Sequence, residues 1–217
     1  MAEEISIAIV GGTGAMGTAL AHRLAMPGIK LIIGSRDPAR ARAAAESLGE
    51  SLAGEKPEGK SNEAAVRDAE IIVVAVPYEG HARTLTELKG EMGDKVVIDT
   101  VVPLEKGRPF IPRAGSALME AQEILGPGAH LAGAFHHVSA VDLLVVDAPL
   151  GDVLVCGDSA WAKQKTMALI ERIGARPLDG GPARHAYIIE GMTGVLIYLN
   201  RKYKSKHASL KITGIPD

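Results

Sequence analysis

A glycine-rich turn near the N-terminus carries the clearest chemical signal in the sequence. Residues 10–17 read Val-Gly-Gly-Thr-Gly-Ala-Met-Gly, and Gly12, Gly14 and Gly17 have the spacing Gly-x-Gly-x-x-Gly between a strand-like and a helix-like apolar run. In that context the first glycine permits a tight turn, the second lets the backbone meet a pyrophosphate, and the third lets helix and strand pack closely. The pattern predicts dinucleotide binding at a helix N-terminus. The alternative is a tight turn without a ligand.

A serine and two arginines follow the second predicted strand, where an acidic residue would bind the ribose hydroxyls of NAD. The strand ends in Ser35-Arg36, and Arg40 lies one helical turn further on. Asp37 precedes Pro38, and this order is typical of a helix N-cap and its first residue, so we assign Asp37 to capping. Ser35, Arg36 and Arg40 therefore predict a site for the 2′-phosphate of NADP. The alternative is two solvated arginines on a surface helix.

The residues that follow three later strands are mostly small and apolar. Val76 and Pro77 follow one strand, Val102 follows the next, and residues 136–140 follow a third. In a doubly wound sheet the ligand lies beyond the carboxyl ends of the strands, so we expect these residues around a nicotinamide ring. Hydride transfer needs close approach and exclusion of water more than it needs a charged nucleophile.

The polar residues that stand out at these strand ends are the adjacent His136 and His137. Neighbours on an extended chain point to opposite faces and no third ligand has a recognisable spacing, so we predict no metal site. His136 either lines the substrate pocket, as a hydrogen-bonding or orienting group and the candidate catalytic residue, or is structural. For His137 the expected role is that of a structural histidine with satisfied hydrogen bonds.

Apolar runs of strand length alternate with helix-patterned stretches, as a parallel sheet with crossover helices requires. Strands are predicted at residues 5–10, 30–34, 71–76, 95–100, 130–135 and 153–156. Helices are predicted at about 15–26, 38–48, 62–68, 80–91 and 115–125, and residues 50–60 are expected to form a surface loop. The predicted fold class is α/β, a doubly wound parallel sheet of the Rossmann type.

The pattern changes after residue 156, to a helix at 159–173, an extended piece at 175–178 and a long helix at about 182–203. The last helix is apolar around much of its circumference, so we expect it to be buried against something besides its own sheet. Gly191 and Gly194 would let another backbone or a flat ligand approach closely. We predict a dinucleotide-binding domain over 1–157 and a small helical lobe over 158–217 that closes the substrate cleft and forms a homodimer.

The composition argues against several classes of function. Lys and Arg number 24 against 26 Asp and Glu, and aromatic residues make up 3%, so a nucleic-acid partner is not expected. No apolar run approaches the roughly 18 residues of a membrane span, and the N-terminus lacks the basic flank and cleavage site of a signal peptide. The sequence has a single cysteine, Cys156, which cannot form an internal disulfide, so nothing indicates an oxidising compartment. We therefore expect a cytoplasmic protein.

Several motifs together are similar to one enzyme family. They are Gly11-Gly12-Thr13-Gly14, Gly34-Ser35-Arg36, Val76-Pro77, Phe135-His136, Val155-Cys156-Gly157-Asp158 and Arg176-Pro177-Leu178-Asp179-Gly180-Gly181-Pro182. On these residues the chain resembles, nearly end to end, the coenzyme F420-dependent NADP oxidoreductases, also called NADPH-dependent deazaflavin reductases. The resemblance implies reversible hydride transfer between C4 of NADP and C5 of the deazaflavin, whose ring is stacked on the nicotinamide.

The resemblance also implies roles for individual residues. Pyrophosphate contacts fall on Thr13, Gly14, Ala15 and Met16, and 2′-phosphate contacts fall on Ser35, Arg36 and Arg40. Contacts near the nicotinamide fall on Val76, Val102 and Ala140, while His136 and Val138 face the deazaflavin. The chain departs from the archaeal pattern at His137 and Ser139, where that pattern has a smaller residue and a proline.

The C-terminal segment is basic. Residues 201–211 contain no acid and five cations, which are Arg201, Lys202, Lys204, Lys206 and Lys211. One hypothesis is that they attract the anionic end of a family substrate at long range, and the alternative is that they oppose the helix dipole and stay solvated. Two other functions remain open: an NADP-dependent reductase of a ketone, an imine or a flavin, and a non-catalytic NADP-sensing or scaffold protein.

Overall fold

The structure is a computed structural model that describes residues 4–50, 56–145 and 149–215. The strands are β1 Ile5–Val10, β2 Ile29–Ser35, β3 Glu58–Ser61, β4 Ile71–Val74, β5 Val96–Asp99, β6 Leu104–Glu105, β7 Arg108–Pro109, β8 His130–Gly133, β9 Val153–Cys156 and β10 Pro177–Gly181. Eight of them form one sheet in the order β10-β9-β8-β5-β4-β1-β2-β3, and β6 pairs with β7 in a separate hairpin.

Helices connect these strands and cover both faces of the sheet. They are α1 Ala15–Leu24, α2 Pro38–Glu50, α3 Asn62–Arg67, α4 Tyr78–Met92, α5 Ala117–Leu125, α6 Ala140–Leu144, α7 Ala160–Arg172 and α8 Ala186–Lys202, with a short 3-10 helix at Ala183–His185 before α8. The predicted helices before residue 130 are therefore all present, with ends that differ by a few residues.

The order of the strands reverses between β1 and β4. The chain runs outward from β1 through β2 to β3, crosses back to β4, and then runs outward through β5 and β8. Strand β1 pairs in parallel with β2 on one side and with β4 on the other. The predicted doubly wound sheet is thus confirmed, apart from β9, which is antiparallel to β8 where Cys156 pairs with Gly133, and β10, which is parallel to β9. Ligands of such sheets bind at the reversal, beyond the carboxyl ends of the strands.

The central strands are buried on both faces, which explains why their sequences are apolar without alternation. In β1, Ile7 and Ile9 belong to a cluster that contains Leu20 of α1. In β4, Ile72 belongs to a second cluster that contains Leu85 of α4. Few aromatic residues are needed because aliphatic side chains fill both layers.

The predicted loop over residues 50–60 is wrong at its end. Residues 51–55 lie outside the described part of the chain, but Glu58–Ser61 form the edge strand β3 and pair with β2. This strand has no apolar residue to indicate it. It is held by close packing against α2, where a Cβ on Gly59 would lie 2.4 Å from the carbonyl carbon of Ala41. The hairpin and α6 were not predicted either, because such short elements show no periodicity.

The sheet continues beyond residue 157, where the sequence analysis placed a domain boundary. Helix α7 packs against β8 and β9, and β10 pairs in parallel with β9. The extended piece predicted at 175–178 corresponds to β10. Residues 158–181 therefore form a helix that packs on the sheet and a strand that belongs to it. The segment from residue 182 onward lies outside the sheet.

Helix α8 packs between α5 and the β6–β7 hairpin. Its buried residues are Ala186, Ile189 and Glu190, so much of its apolar surface is exposed in the monomer. The close approach predicted at Gly194 is made by the hairpin, because a Cβ there would lie 2.4 Å from the ring of Pro109. A Cβ on Gly191 would meet no atom within 4 Å.

A buried polar network joins α4 and α5 to the end of β5. His81 is fully buried, with Nε2 2.7 Å from Asp99 Oδ2 and Nδ1 3.3 Å from Glu120 Oε2. Tyr78 donates a hydrogen bond of 3.2 Å to the other oxygen of Glu120. Burial opposes a charge on the imidazole, but the carboxylates of Asp99 and Glu120 outweigh it and raise the pKa of His81 to about 9. The ring is therefore protonated at neutral pH.

The pKa of His81 makes the stability of the fold depend on pH. Because the pKa of about 9 in the folded protein exceeds the ordinary value of 6.5, this stabilisation is fully present below pH 6.5 and is lost as pH rises through 9. We expect the free energy of unfolding, measured by urea titration, to fall by about 2 to 3 kcal/mol over that interval. His81→Gln should be less stable than wild type at the lower pH and should lose less stability as the pH rises. A wild-type slope no steeper than that of His81→Gln would contradict the assignment.

Candidate functional site

The glycine-rich turn, residues 11–17, packs too closely for larger residues at Gly11, Gly12 and Gly17. A Cβ on Gly17 would lie 2.5 Å from the carbonyl oxygen of Gly11, and a Cβ on Gly12 would lie 2.9 Å from the side chain of Ile33. Gly12 and Gly17 are buried. Although they were predicted as cofactor-binding residues, they lie behind the surface, where they let α1 start directly beside β1 and β2.

Helix α1 begins after Gly14 without a side-chain cap. Its first backbone hydrogen bond runs from the N–H of Thr18 to the carbonyl of Gly14, at 2.8 Å. The N–H groups of Ala15 and Met16 consequently have no acceptor within the helix. Free N–H groups and the positive end of the helix dipole favour an anion, so this end of α1 fits the diphosphate of a dinucleotide.

The end of β2 presents one buried hydroxyl and two exposed guanidinium groups. The Oγ of Ser35 lies 3.5 Å from the Oγ1 of Thr13 and accepts a hydrogen bond from the N–H of Asp37. The Oδ1 of Asp37 accepts from the N–H of Ala39 at 2.9 Å, which confirms that Asp37 caps α2. Arg36 and Arg40 are exposed and have no ion-pair partner within the described segments. They fit an additional phosphate group on a ligand.

These elements line one cleft of about 810 Å³ beyond the carboxyl ends of β1, β2 and β4. A cleft of this size is typical of small-molecule sites. Predicted site residues in its lining are Thr13, Gly14, Ser35, Arg36, Arg40, Val76 and Pro77. The structure adds Gly11, Asp37, Asn62, Ala75, Glu79, Gly80, Arg83, Thr84 and Glu87.

Two groups of lining residues were missed by the sequence analysis. The Oδ1 of Asn62 accepts a hydrogen bond of 3.4 Å from the N–H of Gly11, so this side chain supports the turn from across the sheet. Arg83 and Glu87 lie on one face of α4 and line the side of the cleft opposite β2. In the sequence their spacing is that of any solvated helix face, and only the packing of α4 against the sheet distinguishes it.

A second cavity, of about 210 Å³, lies beyond the end of β5. It is lined by Val102, Pro103, Pro109, Phe110, Ile111, Gly115, Tyr187, Glu190 and Gly191. Val102 was predicted near the nicotinamide, and the structure places it here and not in the first cleft. Since β4 and β5 are neighbouring strands, the two cavities lie at the same edge of the sheet.

Glu190 is a buried carboxyl group in the lining of this second cavity. Its two oxygens accept hydrogen bonds from the N–H groups of Ala117 and Leu118, at 3.0 and 3.1 Å. Burial raises the pKa of Glu190 to about 8, although these two donors favour the carboxylate. The side chain attaches α8 to the N-terminus of α5. Nothing in the local sequence indicates this contact, because the residues are more than 70 positions apart.

The segment after β8 turns sharply at Phe135, whose φ is 64°. The next residue, His136, is buried, and neither ring nitrogen has a hydrogen-bond partner among the described residues. Burial lowers the pKa of His136 to about 4. Its carbonyl oxygen accepts a hydrogen bond of 2.7 Å from Thr193 of α8, two residues beyond Gly191. The ring is thus neutral at pH 7, and His136, which was predicted to line the substrate pocket, belongs to the lining of neither cavity described above.

The other residues of this segment differ in their surroundings. His137 is buried, and its Nε2 lies 3.1 Å from the carbonyl oxygen of Asp152, a contact that favours the structural interpretation. Val138 and Ala140 are half-buried and pack against the main core. Neither of them belongs to the lining of either cavity described above.

Helix α6 follows this segment and is held at both ends. At its start, the Oγ of Ser139 accepts from the N–H of Val141 and donates to the carbonyl of Lys206. At its end, the buried Arg23 of α1 donates to the carbonyl oxygens of Asp142, Leu143 and Val145, at 3.0, 3.2 and 2.6 Å. Helix α1 therefore contacts the anion-binding turn with its N-terminus and the segment after β8 with a side chain of its last turn.

The basic C-terminal segment is partly bound to the protein itself. The carbonyl of Leu210 accepts from the N–H of Asp152, and Nζ of Lys211 lies 3.2 Å from Oδ1 of the same residue. The Nζ of Lys202 lies 5.8 and 5.7 Å from the ring centroids of Tyr198 and Tyr203. These contacts favour a local role for two of the five cations.

Three further features are described for residues 4–50, 56–145 and 149–215. In these segments no group of three or more His, Cys, Asp or Glu could hold a metal ion. None of their helices combines the length and apolarity required to cross a membrane. Cys156 is buried, and burial raises the pKa of its thiol to about 12, which keeps it in the unreactive form.

Sequence comparisons identify relatives over nearly the whole chain. Residues 6–103 match a family described as NADP oxidoreductase, coenzyme F420-dependent. A protein of Methanothermobacter thermautotrophicus named F420-dependent NADP reductase is 36% identical over 225 residues, which cover 98% of this chain and 97% of the relative. A protein of the same name from Methanocaldococcus jannaschii is 36% identical over 223 residues, 97% of this chain and 99% of the relative.

Solved structures have the same fold. A candidate F420-dependent NADP reductase from Arthrobacter sp. FB24 superposes with a TM-score of 0.82 at 24% identity, over 97% of this chain and 100% of the other. Pyrroline carboxylate reductase of Plasmodium falciparum, solved with NADP bound, superposes with a TM-score of 0.60 at 19% identity, over 93% of this chain and 68% of the other. On its identity with near-full-length relatives, the chain belongs to the F420-dependent NADP oxidoreductase family.

Proposed function

We propose that the protein is an oxidoreductase that transfers a hydride between NADP(H) and coenzyme F420. The observation that carries the proposal is the cleft at the reversal of strand order, in which the uncapped N-terminus of α1 and two unpaired arginines line one cavity. An anionic diphosphate fits the first feature and an extra phosphate fits the second. The names of relatives 36% identical over nearly the full chain support the same activity.

For NADP(H), each part of the cleft has a distinct task. The backbone at Thr13, Gly14, Ala15 and Met16 binds the diphosphate, while the buried Gly12 and Gly17 keep that backbone close to the sheet. Ser35, Arg36 and Arg40 bind the 2′-phosphate. Val76 and Pro77 form the apolar side on which the nicotinamide half lies, since both line the cleft beside the carboxyl end of β4.

For the deazaflavin, the second cavity and the segment after β8 are the proposed site. Bound NADPH supplies the hydride from C4 of its nicotinamide. Val102 and Ala140 flank that ring, and His136 and Val138 face the deazaflavin. The ring nitrogens of His136 have no hydrogen-bond partner among the described residues, so they are available to a substrate that reaches them. Catalysis would come mainly from orientation and exclusion of water, since the neutral His136 holds the substrate and transfers no proton at neutral pH.

The C-terminal segment is proposed to close the second cavity and to form a homodimer. Tyr187 and Gly191 of α8 line that cavity directly. Val195 and Tyr198, further along α8, are 59% and 60% exposed, and Ile111 beside the cavity is 73% exposed. Such a continuous apolar surface is typical of an interaction site, and a second copy of the same surface would bury it.

The central test is the bleaching of oxidised F420 by NADPH in the presence of the protein. We expect loss of deazaflavin absorbance with multiple turnovers, and much slower bleaching with NADH at the same concentration. Binding of NADPH without bleaching would contradict the proposal. It would direct attention to a ketone, imine or flavin acceptor, or to a non-catalytic NADP sensor.

Coenzyme selectivity tests the arginine assignment separately. Arg36→Ala combined with Arg40→Ala should raise the Kd for NADPH by roughly 100-fold or more, because hydrogen bonds between charged groups contribute about 1.5 to 3 kcal/mol each. The Kd for NADH should change little. Arg42→Ala is the matched control, since Arg42 is exposed on α2 and does not line the cleft. Equal losses for the two coenzymes would show that the arginines do not bind the 2′-phosphate.

The proposed dimer predicts a change in mass on disruption of α8. Val195→Glu would place a charge in the apolar surface, so we expect a monomer by light scattering coupled to size-exclusion chromatography. Thr86→Glu, which adds the same charge at an exposed position of α4, should leave the mass of a dimer. The proposal fails if wild type is monomeric or if Val195→Glu remains dimeric.

A further inference from the structure

The first cleft has two sides of different chemistry. On the side of β2, Ser35, Arg36 and Arg40 provide a hydroxyl and two unpaired guanidinium groups. On the side of α4, the lining consists of Glu79, Gly80, Arg83, Thr84 and Glu87, of which the last four recur at helical spacing on one face. Strand β1 and the glycine-rich turn lie between the two sides, because the sheet order is β4-β1-β2.

Arg83 is the cationic residue on the α4 side. Its Nε donates a hydrogen bond of 2.7 Å to Oε1 of Glu87, one turn later in the helix. The pair neutralises the charge of the guanidinium locally and uses the Nε edge, whereas the flat face and the terminal nitrogens stay exposed, with 77% of the side chain accessible. Exposed pairs of this kind contribute little to stability, so its position in the cleft is the informative feature.

The proposed orientation of NADP(H) determines what reaches Arg83. With the diphosphate at the end of α1 and the 2′-phosphate at Arg36 and Arg40, the adenosine lies between β2 and α4. Gly80 leaves room for a flat group there, since a Cβ on it would meet no atom within 4 Å. The part of the adenosine that then faces α4 is the adenine base.

We propose that the guanidinium of Arg83 stacks on the adenine ring and completes the adenosine site from the side of α4. This inference rests on the proposed function. Arginine stacks on aromatic faces through its planar group, and adenine offers such a face. A contact with the 2′-phosphate is disfavoured, because Glu87 already pairs with Arg83 and would repel a second anion. Glu87 then acts as a positioning residue that fixes the plane of the guanidinium.

Calorimetric binding of three ligands tests the proposal without reference to catalysis. Arg83→Ala should raise the Kd for NADPH and for 2′,5′-ADP by the same factor, roughly threefold to thirtyfold, and raise the Kd for NADH equally. Arg83→Lys keeps the charge but not the plane, so it should recover less than half of the loss. Arg42→Ala should bind like wild type.

The outcomes separate this inference from the function on which it rests. A loss confined to NADPH and 2′,5′-ADP and restored by Arg83→Lys would identify a phosphate contact and overturn the stacking proposal. Wild-type affinity of Arg83→Ala for all three ligands would also overturn it. Failure of wild type to bind 2′,5′-ADP would instead remove the proposed NADP site, and the assignment of Arg83 with it.

Discussion

The close approach of backbone to backbone at the glycine-rich turn is the constraint on which the site depends. Because Gly17 has no side chain, α1 can start against the carbonyl of Gly11, directly beyond the end of β1. Gly34 in β2 is restricted in the same way, since a Cβ there would lie 3.0 Å from the carbonyl oxygen of Ile9 and 2.9 Å from Oδ1 of Asn62. The missing side chains bring the free N–H groups of α1, the end of β2 and Asn62 to one place, and free N–H groups at a helix N-terminus favour an anion.

Much of the fold could be predicted because the central strands are covered on both faces and are therefore continuously apolar. The same reasoning fails where burial is not the determinant. Strand β3 is polar and pairs at the edge of the sheet, and its position is determined by the packing of Gly59 against α2. The sequence also does not reveal that α7 and β10 continue the sheet layer beyond residue 157, because the pairing of β10 with β9 shows only in the fold.

The site divides along similar lines. Residues of the turn and of the β2 end are close in sequence, so their spacing alone indicated a nucleotide, and seven predicted positions line the first cleft. Asn62 and Glu190 make their contacts across long sequence separations, and Arg83 lies on a helix face with the spacing of any solvated face, so no local pattern distinguishes these residues from ordinary surface or core residues. No local pattern indicates the protonated His81 either, which lies between Asp99 and Glu120. His81 joins the α4 side of the first cleft to α5, and Glu190 contacts α5 from the second cavity.

The buried Arg23 gives α1 a second structural role, besides the one at its N-terminus. The N-terminus of this ten-residue helix faces the glycine-rich turn. In its last turn, Arg23 donates hydrogen bonds to three carbonyl oxygens at the end of α6 and just beyond it. At about 1.5 Å per residue, α1 is a rigid spacer of roughly 15 Å. Inserting one residue would advance Arg23 by about 1.5 Å and swing it by about 100° around the axis. The helix therefore fixes the distance between the glycine-rich turn and the end of α6, and a change in its length would move the two relative to each other.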